Sequence, residues 1–231
     1  MCNNYTPPRE QWPELGYRPD WTDRPTPQTL AQPRLSPRSR GPFIRLNGQG
    51  QREQAVGQWG LVPPHAPGPK LPYATNNCRS EEVEQKRSFK NAWTRGQRCI
   101  VPVGAFWEPC WETFRHVPWR FTRADGQPLA LAGLWDTWVD PQTGECLDSY
   151  TLFTINADGH PWFGRMHKPD PALPPDAQDK RMVCVLEPTA WDDWLANPDP
   201  AAAKRALHAA PAEVFAGAPD APAGPVALSL F

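Results

Sequence analysis

Short apolar runs dominate the chain from about residue 41 onward, and each run is bounded by turn-forming residues. Runs rich in β-branched and aromatic side chains predict strands. Six such strands are expected, at residues 43–46, 59–62, 99–107, 129–139, 150–156 and 182–186. Glycine and aspartate between the later runs supply the turns that strand-to-strand connections need.

Two segments carry a helical pattern instead. Residues 81–94 place charges on one side and leave Phe89 and Trp93 for the other, with Ser80 as the predicted N-cap. A second helix is expected to start near Thr189. The order of elements predicts the α+β class, as a single domain with a curled, barrel-like mixed β-sheet flanked by helices.

The two ends of the chain have a different composition. Residues 1–40 are rich in proline and arginine and predict an extended segment draped over the core or partly disordered. Residues after about 210 are rich in alanine, proline and glycine and predict a loose tail. We therefore expect one domain at 1–210 and a flexible tail at 211–231. The 31 prolines in 231 residues argue against a helical bundle.

Charge adds one asymmetry to this picture. The net charge of −1 excludes binding of a polyanion by bulk electrostatics. Residues 1–46 hold seven arginines against four acids, whereas residues 186–231 hold six acids against two bases. A basic front is compatible with one face that binds nucleic acid, and equally with ordinary scatter of surface charge.

The cysteines and apolar stretches limit the remaining classes. None of the six cysteines has the spacing of paired zinc ligands, so neither a metal nor another cofactor is expected. No apolar stretch approaches the ~20 residues needed to cross a bilayer, and the first residues lack the apolar run of a signal peptide. We expect no membrane contact and reduced thiols in the cytoplasm.

Four residues are candidates for chemistry: Cys2, Asn77, Glu108 and His167. Each also has a simpler interpretation when it is taken alone. Cys2 follows the initiator methionine, Asn77 could enter a helix, Glu108 could face solvent and His167 could lie in an exposed loop. Their chemical meaning depends on the motifs around them.

Seven short motifs follow one another along the chain. They are Met1-Cys2, Trp59-Gly60-Leu61-Val62-Pro63, Asn77-Cys78-Arg79-Ser80-Glu81, Val103-Gly104-Ala105-Phe106-Trp107-Glu108, Ala132-Gly133-Leu134-Trp135, Phe153-Thr154-Ile155-Asn156-Ala157, and Arg165-Met166-His167-Lys168-Pro169, which rejoins the pattern at Lys180-Arg181-Met182. In this order, over roughly residues 1–196, the chain resembles the SOS response-associated peptidase (SRAP) family. Each motif alone is weak, but their shared order is specific.

The resemblance implies a sensor of abasic sites in single-stranded DNA that forms a covalent protein–DNA crosslink. Removal of Met1, either autocatalytic or assisted by an aminopeptidase, would leave Cys2 with an α-amine and a thiol on adjacent carbons. These groups titrate at about 8 and about 8.5, so both are partly nucleophilic at neutral pH. The amine can attack the aldehyde of an abasic sugar, and the thiol can then close a thiazolidine ring.

The resemblance also implies roles for the other residues. Glu108 would act as a general acid and base, His167 would serve the sugar hydroxyl, and Asn77 would orient the amine or sugar. His160, in a turn nearby in sequence, is a rival for the histidine role. Residues 168–179 are an insertion relative to the family pattern.

The residues implied in nucleic-acid binding are Asn3, Trp59, Gly60, Arg79 and Arg181. The arginines would contact phosphates, whereas Trp59 would stack on a base or, alternatively, belong to the core. Asn3 stands where the family often has a glycine that precedes an arginine. The expected partner is single-stranded DNA with abasic sites, bound by a monomer associated with the nucleoid.

Two other functions remain open on the sequence. One is a cysteine-type peptidase or amidohydrolase in which Cys2 attacks a separate substrate, which would need Cys–His activation and an oxyanion hole. The other is a single-stranded DNA-binding module that uses aromatic residues and arginines without forming a bond.

Overall fold

A computed structural model describes residues 2–21 and 34–220. Its strands are β1 (Asn4–Thr6), β2 (Arg40–Leu46), β3 (Arg52–Trp59), β4 (Asn77–Arg79), β5 (Arg98–Val103), β6 (Ala105–Cys110), β7 (Val117–Arg123), β8 (Leu129–Val139), β9 (Cys146–Asn156), β10 (Arg181–Val183) and β11 (Phe215–Pro219). Its α-helices are α1 (Arg87–Thr94), α2 (Trp191–Ala196) and α3 (Pro200–Lys204).

Five strands close into a barrel in the order β9, β3, β2, β5, β8 and back to β9. The pairing of β3 with β9 is parallel and the other contacts around the barrel are antiparallel, so the sheet is mixed. Strands β4 and β10 add to the long β9 at its carboxyl end. The predicted α+β class with a curled, barrel-like mixed sheet is confirmed.

A second, antiparallel sheet has the strand order β1, β6, β7, β11. Its inner face buries a cluster of stacked and edge-on phenylalanine rings: Phe106, Phe121, Phe163 and Phe215. The run predicted as one strand at 99–107 is therefore two strands in two sheets. The break falls at Gly104, whose backbone N–H donates to the Thr6 carbonyl at 2.8 Å.

The helices differ from the sequence prediction at one end. Helix α1 begins at Arg87 rather than at 81, and Lys86, not Ser80, is its N-cap. The Ser80 hydroxyl donates to Glu81, whose carboxylate is held by Arg181 from β10. The ion pair between Glu81 and Arg181 holds residues 80–85 in turns before α1. Helix α2 begins at Trp191, close to the predicted Thr189. No helix in residues 2–21 and 34–220 is both long and apolar enough to cross a bilayer.

The predicted strand pattern was also wrong or incomplete elsewhere, since β1, β4 and most of β3 were not predicted. The run at 59–62 is not a strand, because β3 ends at Trp59 and the next residue, Gly60, has a φ of +126°. Strand β7 was not predicted, since its half-exposed Val-Pro-Trp-Arg pattern lacks clean alternation. Strand β11 lies beyond residue 210, where the tail was expected to begin, and pairs with β7 as far as Pro219. The predicted tail at 221–231 lies outside the described residues.

At Gly133, strand β8 is paired with β5 on one side and with β9 on the other, where the barrel closes. A β-carbon built at this position would lie 2.6 Å from the Thr151 carbonyl oxygen of β9 and 2.9 Å from the Cys99 Sγ of β5. Neither neighbour can move without disturbing the paired strands. A glycine is therefore required here by the packing of the barrel rather than by backbone conformation.

We predict that Gly133→Ala lowers the free energy of unfolding by about 1–3 kcal/mol, because overpacking forces strands apart. Gly48→Ala is the matched control, since a β-carbon there meets nothing within 4 Å, and its effect should stay within about 0.5 kcal/mol. Urea unfolding of both variants measures the difference. Equal unfolding midpoints would contradict this account of the barrel closure.

Candidate functional site

Cys2 is fully buried, and two side-chain amides hold its backbone. The Asn77 Nδ2 donates to the Cys2 carbonyl at 2.8 Å, and the Asn76 Nδ2 donates to the same oxygen at 3.3 Å. The thiol Sγ donates to the Asn4 carbonyl at 3.6 Å. Both the backbone and the side chain of residue 2 are therefore fixed by named partners.

The barrel fixes the two asparagines in turn. Strand β4 begins at Asn77 and pairs in parallel with β9, where Asn77 lies opposite Leu152. The Asn76 carbonyl accepts hydrogen bonds from the Trp59 indole at 2.9 Å and from the Leu152 backbone at 3.1 Å. Asn76 was missed in the sequence analysis, although its adjacency to Asn77 in a Thr-Asn-Asn-Cys segment was the signal that could have found it.

Glu108 and His167 form a pair beside this amino-terminal segment. The His167 Nε2 lies 3.0 Å from the Glu108 Oε2, and the Glu108 side chain is only 1% exposed. His167 has a left-handed backbone with φ of +61°. Its N–H donates to the Pro109 carbonyl at 2.7 Å, and its own carbonyl accepts from the Lys180 ammonium at 2.6 Å. Pro109 of β6 and Lys180, which precedes β10, thus hold the backbone of His167 where its imidazole meets the carboxylate.

The charges of the site follow from burial and neighbours. Burial raises the pKa of Glu108, but nearby positive charge and the hydrogen bond with His167 outweigh it, so this pKa lies below its ordinary value. Burial, followed by the charge of Glu108, raises the pKa of the Cys2 thiol. At neutral pH the site therefore combines a carboxylate with a neutral thiol.

The structure separates the two candidate histidines. His160 is turned toward its own loop, where its Nδ1 accepts from the backbone N–H groups of Trp162 at 3.1 Å and Phe163 at 3.3 Å. Its Nε2 lies 3.1 Å from the Ala210 carbonyl. His160 therefore organises a turn, and His167 is the histidine that meets Glu108.

A cleft of about 530 Å³ lies along the amino-terminal segment. We call it the amino-terminal cleft; its lining includes Asn3, Asn4, Arg38, Gly60 and Tyr73. Asn3 is exposed, and its side-chain oxygen accepts from the Asn76 amide at 3.0 Å. Gly60 is buried at the cleft, and its N–H donates to the Tyr150 carbonyl at 2.8 Å.

Trp59 also lines this cleft but has no exposed surface. Its ring meets Tyr5 edge-on with centroids 5.0 Å apart, while its indole N–H holds Asn76. This placement favours the core role that the sequence left open over stacking on a base. The role of Trp59 is to support the asparagine that holds Cys2.

The two predicted phosphate-binding arginines are both paired with acids. Arg181 is 3% exposed and binds Glu81 and Asp179 through the same Nη1, at 2.6 and 3.0 Å. The half-buried Arg79 lies 2.6 Å from Asp179. Arg181 of β10 therefore binds the loop at 168–179 through Asp179. The Arg79 guanidinium remains partly exposed.

The described residues contain no group of three or more histidine, cysteine, aspartate or glutamate side chains placed to hold a metal ion. The chemistry that these side chains themselves can supply is nucleophilic and acid–base. A cysteine thiol can act as a nucleophile, and a carboxyl–imidazole pair such as Glu108 and His167 can give and take protons.

Comparison with known proteins places this geometry in a family. The model of the SOS response associated peptidase (SRAP) family matches residues 1–219. The abasic site processing protein HMCES of Xenopus tropicalis is 30% identical over 60% of this chain and 50% of its own length. The abasic site processing protein YoqW of Bacillus subtilis is 31% identical over 62% of this chain and 58% of its own length.

Solved structures agree with this placement. A crystal structure of a Bordetella bronchiseptica protein, a structural genomics target, matches with a TM-score of 0.77 and 36% identity, covering 94% of this chain and 99% of that one. A Bacteroides thetaiotaomicron protein, at 23% identity and a TM-score of 0.63, shares the fold. The chain spans about half the length of the curated relatives it matches. Because the family model covers nearly the whole sequence, this chain belongs to the SOS response associated peptidase (SRAP) family.

Proposed function

We propose that this chain processes abasic sites in single-stranded DNA by bonding to them covalently through Cys2. The observation that carries the proposal is the placement of Cys2, which two asparagine amides hold beside the buried Glu108–His167 pair. The relatives named as abasic site processing proteins support the choice of substrate.

The reaction begins with hydrolysis of the bond between Met1 and Cys2, which frees the α-amine of Cys2. The lone pair of this amine attacks the C1′ aldehyde of the ring-opened abasic sugar and forms a carbinolamine. Loss of water gives an imine. The Sγ of Cys2 then bonds to the imine carbon while its proton passes to the nitrogen, which completes a thiazolidine with the net release of one water.

The electrostatics of the site favour this order of events. The raised pKa of the Cys2 thiol keeps it protonated at neutral pH, so the thiol is a poor first nucleophile. The amine therefore attacks first and the thiol closes the ring onto an imine that is already activated. Only an amino-terminal cysteine supplies both atoms on adjacent carbons.

Glu108 and His167 serve different proton transfers, Glu108 at the aldehyde carbon and His167 at the hydroxyl of the opened sugar. With a lowered pKa, Glu108 is a carboxylate that can take a proton from the amine and return it to the departing hydroxyl. The His167 side chain is 23% exposed, so it can serve the hydroxyl of the opened sugar. Asn77, through its bond to the Cys2 carbonyl, aims the amine.

The amino-terminal cleft suits a strand of DNA that approaches Cys2. Asn3 and Arg38 are exposed along it, and Gly60 lets the backbone of a ligand come close because it lacks a side chain. Arg79, which is partly exposed beside Asn77, would reach a phosphate by exchanging its bond to Asp179. Arg181 would contribute indirectly by holding Asp179.

The cysteine hydrolase alternative has less support. Such an enzyme activates its thiol through a hydrogen bond to an imidazole. Here the Cys2 thiol donates to the Asn4 carbonyl, and the His167 imidazole is engaged with Glu108. A binding module without covalent chemistry differs from our proposal in forming no adduct with an abasic site.

We predict that Cys2→Ala abolishes a stable adduct with an oligonucleotide that carries one abasic site. Cys2→Ser should give at most a labile imine, because a hydroxyl closes the ring less readily than a thiol. A denaturing gel after heating measures the adduct, intact mass confirms loss of Met1 from the wild-type protein, and a thermal melt confirms that the variants fold. A full-strength, heat-stable adduct from Cys2→Ala would assign the bond to another residue.

The same experiment tests the non-covalent alternative. Reversible, salt-sensitive binding by the wild type without any adduct would favour a single-stranded DNA-binding module.

A second prediction separates Glu108 from His167. Glu108→Gln should slow both Met1 release and crosslinking, whereas His167→Ala should slow crosslinking and its reversal with little effect on Met1. Losses of general acid–base catalysis are typically about 10²–10⁴-fold, which a time course by intact mass and gel resolves.

His160→Ala is the matched control for this comparison, because that imidazole is engaged with its own loop and Ala210. It should crosslink at the wild-type rate. If Glu108→Gln matured and reacted like the wild type, the acid–base role of the carboxylate would be wrong. If only His160→Ala were slow, the histidine role would belong to the turn.

A further inference from the structure

The outer face of the second sheet carries a cleft that the proposed chemistry does not use. Along β6, side chains alternate between the two faces of the sheet, so Trp107 faces outward while Glu108 faces the site. Trp107 is half-buried at one side of a cleft of about 430 Å³. We call this cleft, which Arg9, Arg34, Trp107 and Arg120 line, the arginine–tryptophan cleft.

Its three arginines concentrate positive charge around one aromatic ring. The Arg34 guanidinium lies 4.0 Å from the centroid of the Trp107 ring, and the Arg120 guanidinium lies 6.0 Å from it. Arg120 is directly opposite Trp107 in the pairing of β7 with β6, so their side chains share one face. Arg9 is exposed at the same cleft.

The carboxylate of Asp220, the residue after strand β11, contacts two of the residues that line this cleft. The Asp220 Oδ2 accepts from the Trp107 indole N–H at 2.8 Å and lies 3.5 Å from the Arg34 Nη1. The Asp220 N–H donates to the Pro118 carbonyl at 2.7 Å. The side chains of Arg34 and Asp220 are 43% and 33% exposed, so solvent reaches their contact. One carboxylate does not balance three guanidinium groups.

The cleft adjoins the reactive segment. Asn4 lies opposite Trp107 in the pairing of β1 with β6, which puts both side chains on the outer face. Asn4 also lines the amino-terminal cleft, and it follows Cys2 by two residues, at most about 7 Å of extended chain. Asn4 therefore links the amino-terminal cleft, which it lines, to the outer face that carries Trp107 and the arginine–tryptophan cleft.

We propose that the arginine–tryptophan cleft binds the phosphodiester backbone of the DNA strand that leads to Cys2, and that the Asp220 carboxylate occupies this phosphate position in the free protein. This inference rests on the proposed function, because it assigns the second cleft to the same strand. The strand displaces Asp220 when it binds, so the end of β11 competes with DNA.

The chemistry of the cleft favours a nucleic acid over other anions. Guanidinium groups match phosphate oxygens in a planar, two-point geometry, and an indole N–H can donate to the same group. Cationic side chains around an exposed aromatic ring are typical of surfaces that track single-stranded DNA. One carboxylate oxygen of Asp220 already lies between Trp107 and Arg34. A phosphate oxygen fits the same position.

The test measures the affinity of the full chain for an undamaged single-stranded oligonucleotide by fluorescence anisotropy across a salt series. Asp220→Asn should tighten binding about 3–10-fold, because the competing charge is removed. Arg120→Gln should weaken it about 3–10-fold and make the salt dependence shallower by about 0.7 for each phosphate that the variant no longer neutralises. The matched controls, Glu145→Gln and Arg205→Gln, remove exposed charges outside both clefts and should change affinity less than twofold.

Several outcomes would overturn the inference. Among them are the absence of wild-type binding at low salt, an unchanged or weaker affinity of Asp220→Asn, and an Arg120→Gln variant that behaves like its control.

The proposed covalent chemistry fails separately from this inference. Adduct formation with an abasic oligonucleotide at saturating protein should be unchanged in Arg120→Gln, since the residue does not touch Cys2. A missing adduct in the wild type sinks the covalent function. A normal adduct combined with unaltered DNA binding in the cleft variants contradicts only the proposal for the arginine–tryptophan cleft. Asp220 would then only attach the end of β11 to the second sheet.

Discussion

The hydrogen bonds from two asparagine amides to the carbonyl of residue 2 are the interaction on which the rest of the site depends. An amino terminus is ordinarily among the least ordered parts of a chain. Here Asn77 and Asn76 bind the Cys2 carbonyl, and the next residues pair with β6 as strand β1. The barrel positions the asparagines, so the backbone at Cys2 is held as firmly as the strands of the barrel.

The second constraint is the burial of a carboxylate. A buried charge is strongly unfavourable unless other charges and hydrogen bonds compensate it. Glu108 meets His167, whose loop is secured by Pro109 and Lys180. The same burial that demands a partner for Glu108 also keeps the Cys2 thiol protonated. Burial and mutual charge in one desolvated pocket thus affect the protonation of the Glu108 carboxyl and of the Cys2 thiol together.

The sequence predicted the parts of the protein that depend on local pattern. Barrel strands β2, β5, β8 and β9 were predicted because their apolar runs are readable along the sequence, whereas β3 was not. Cys2, Asn77, Glu108 and His167 stay predicted site residues, and they were proposed because motif order is also readable in one dimension. The start of α1 and the ion pair of Arg181 with Glu81 were missed because the two residues lie far apart along the chain. Strand β11 was missed because its small residues give no strand signal apart from Phe215, which joins the aromatic cluster.

The inserted loop at 168–179 is bounded by independent anchors. His167 is fixed to Pro109 before the loop, and after it the Lys180 backbone is bound to both Ala157 and Asp158. Within the loop, the Gln178 side chain gathers the carbonyls of Asp170, Leu173 and Pro174. Loop-closure entropy changes slowly with length. A change in the length of this loop should therefore leave His167 in place, so a peptide tag could be inserted there without moving the imidazole.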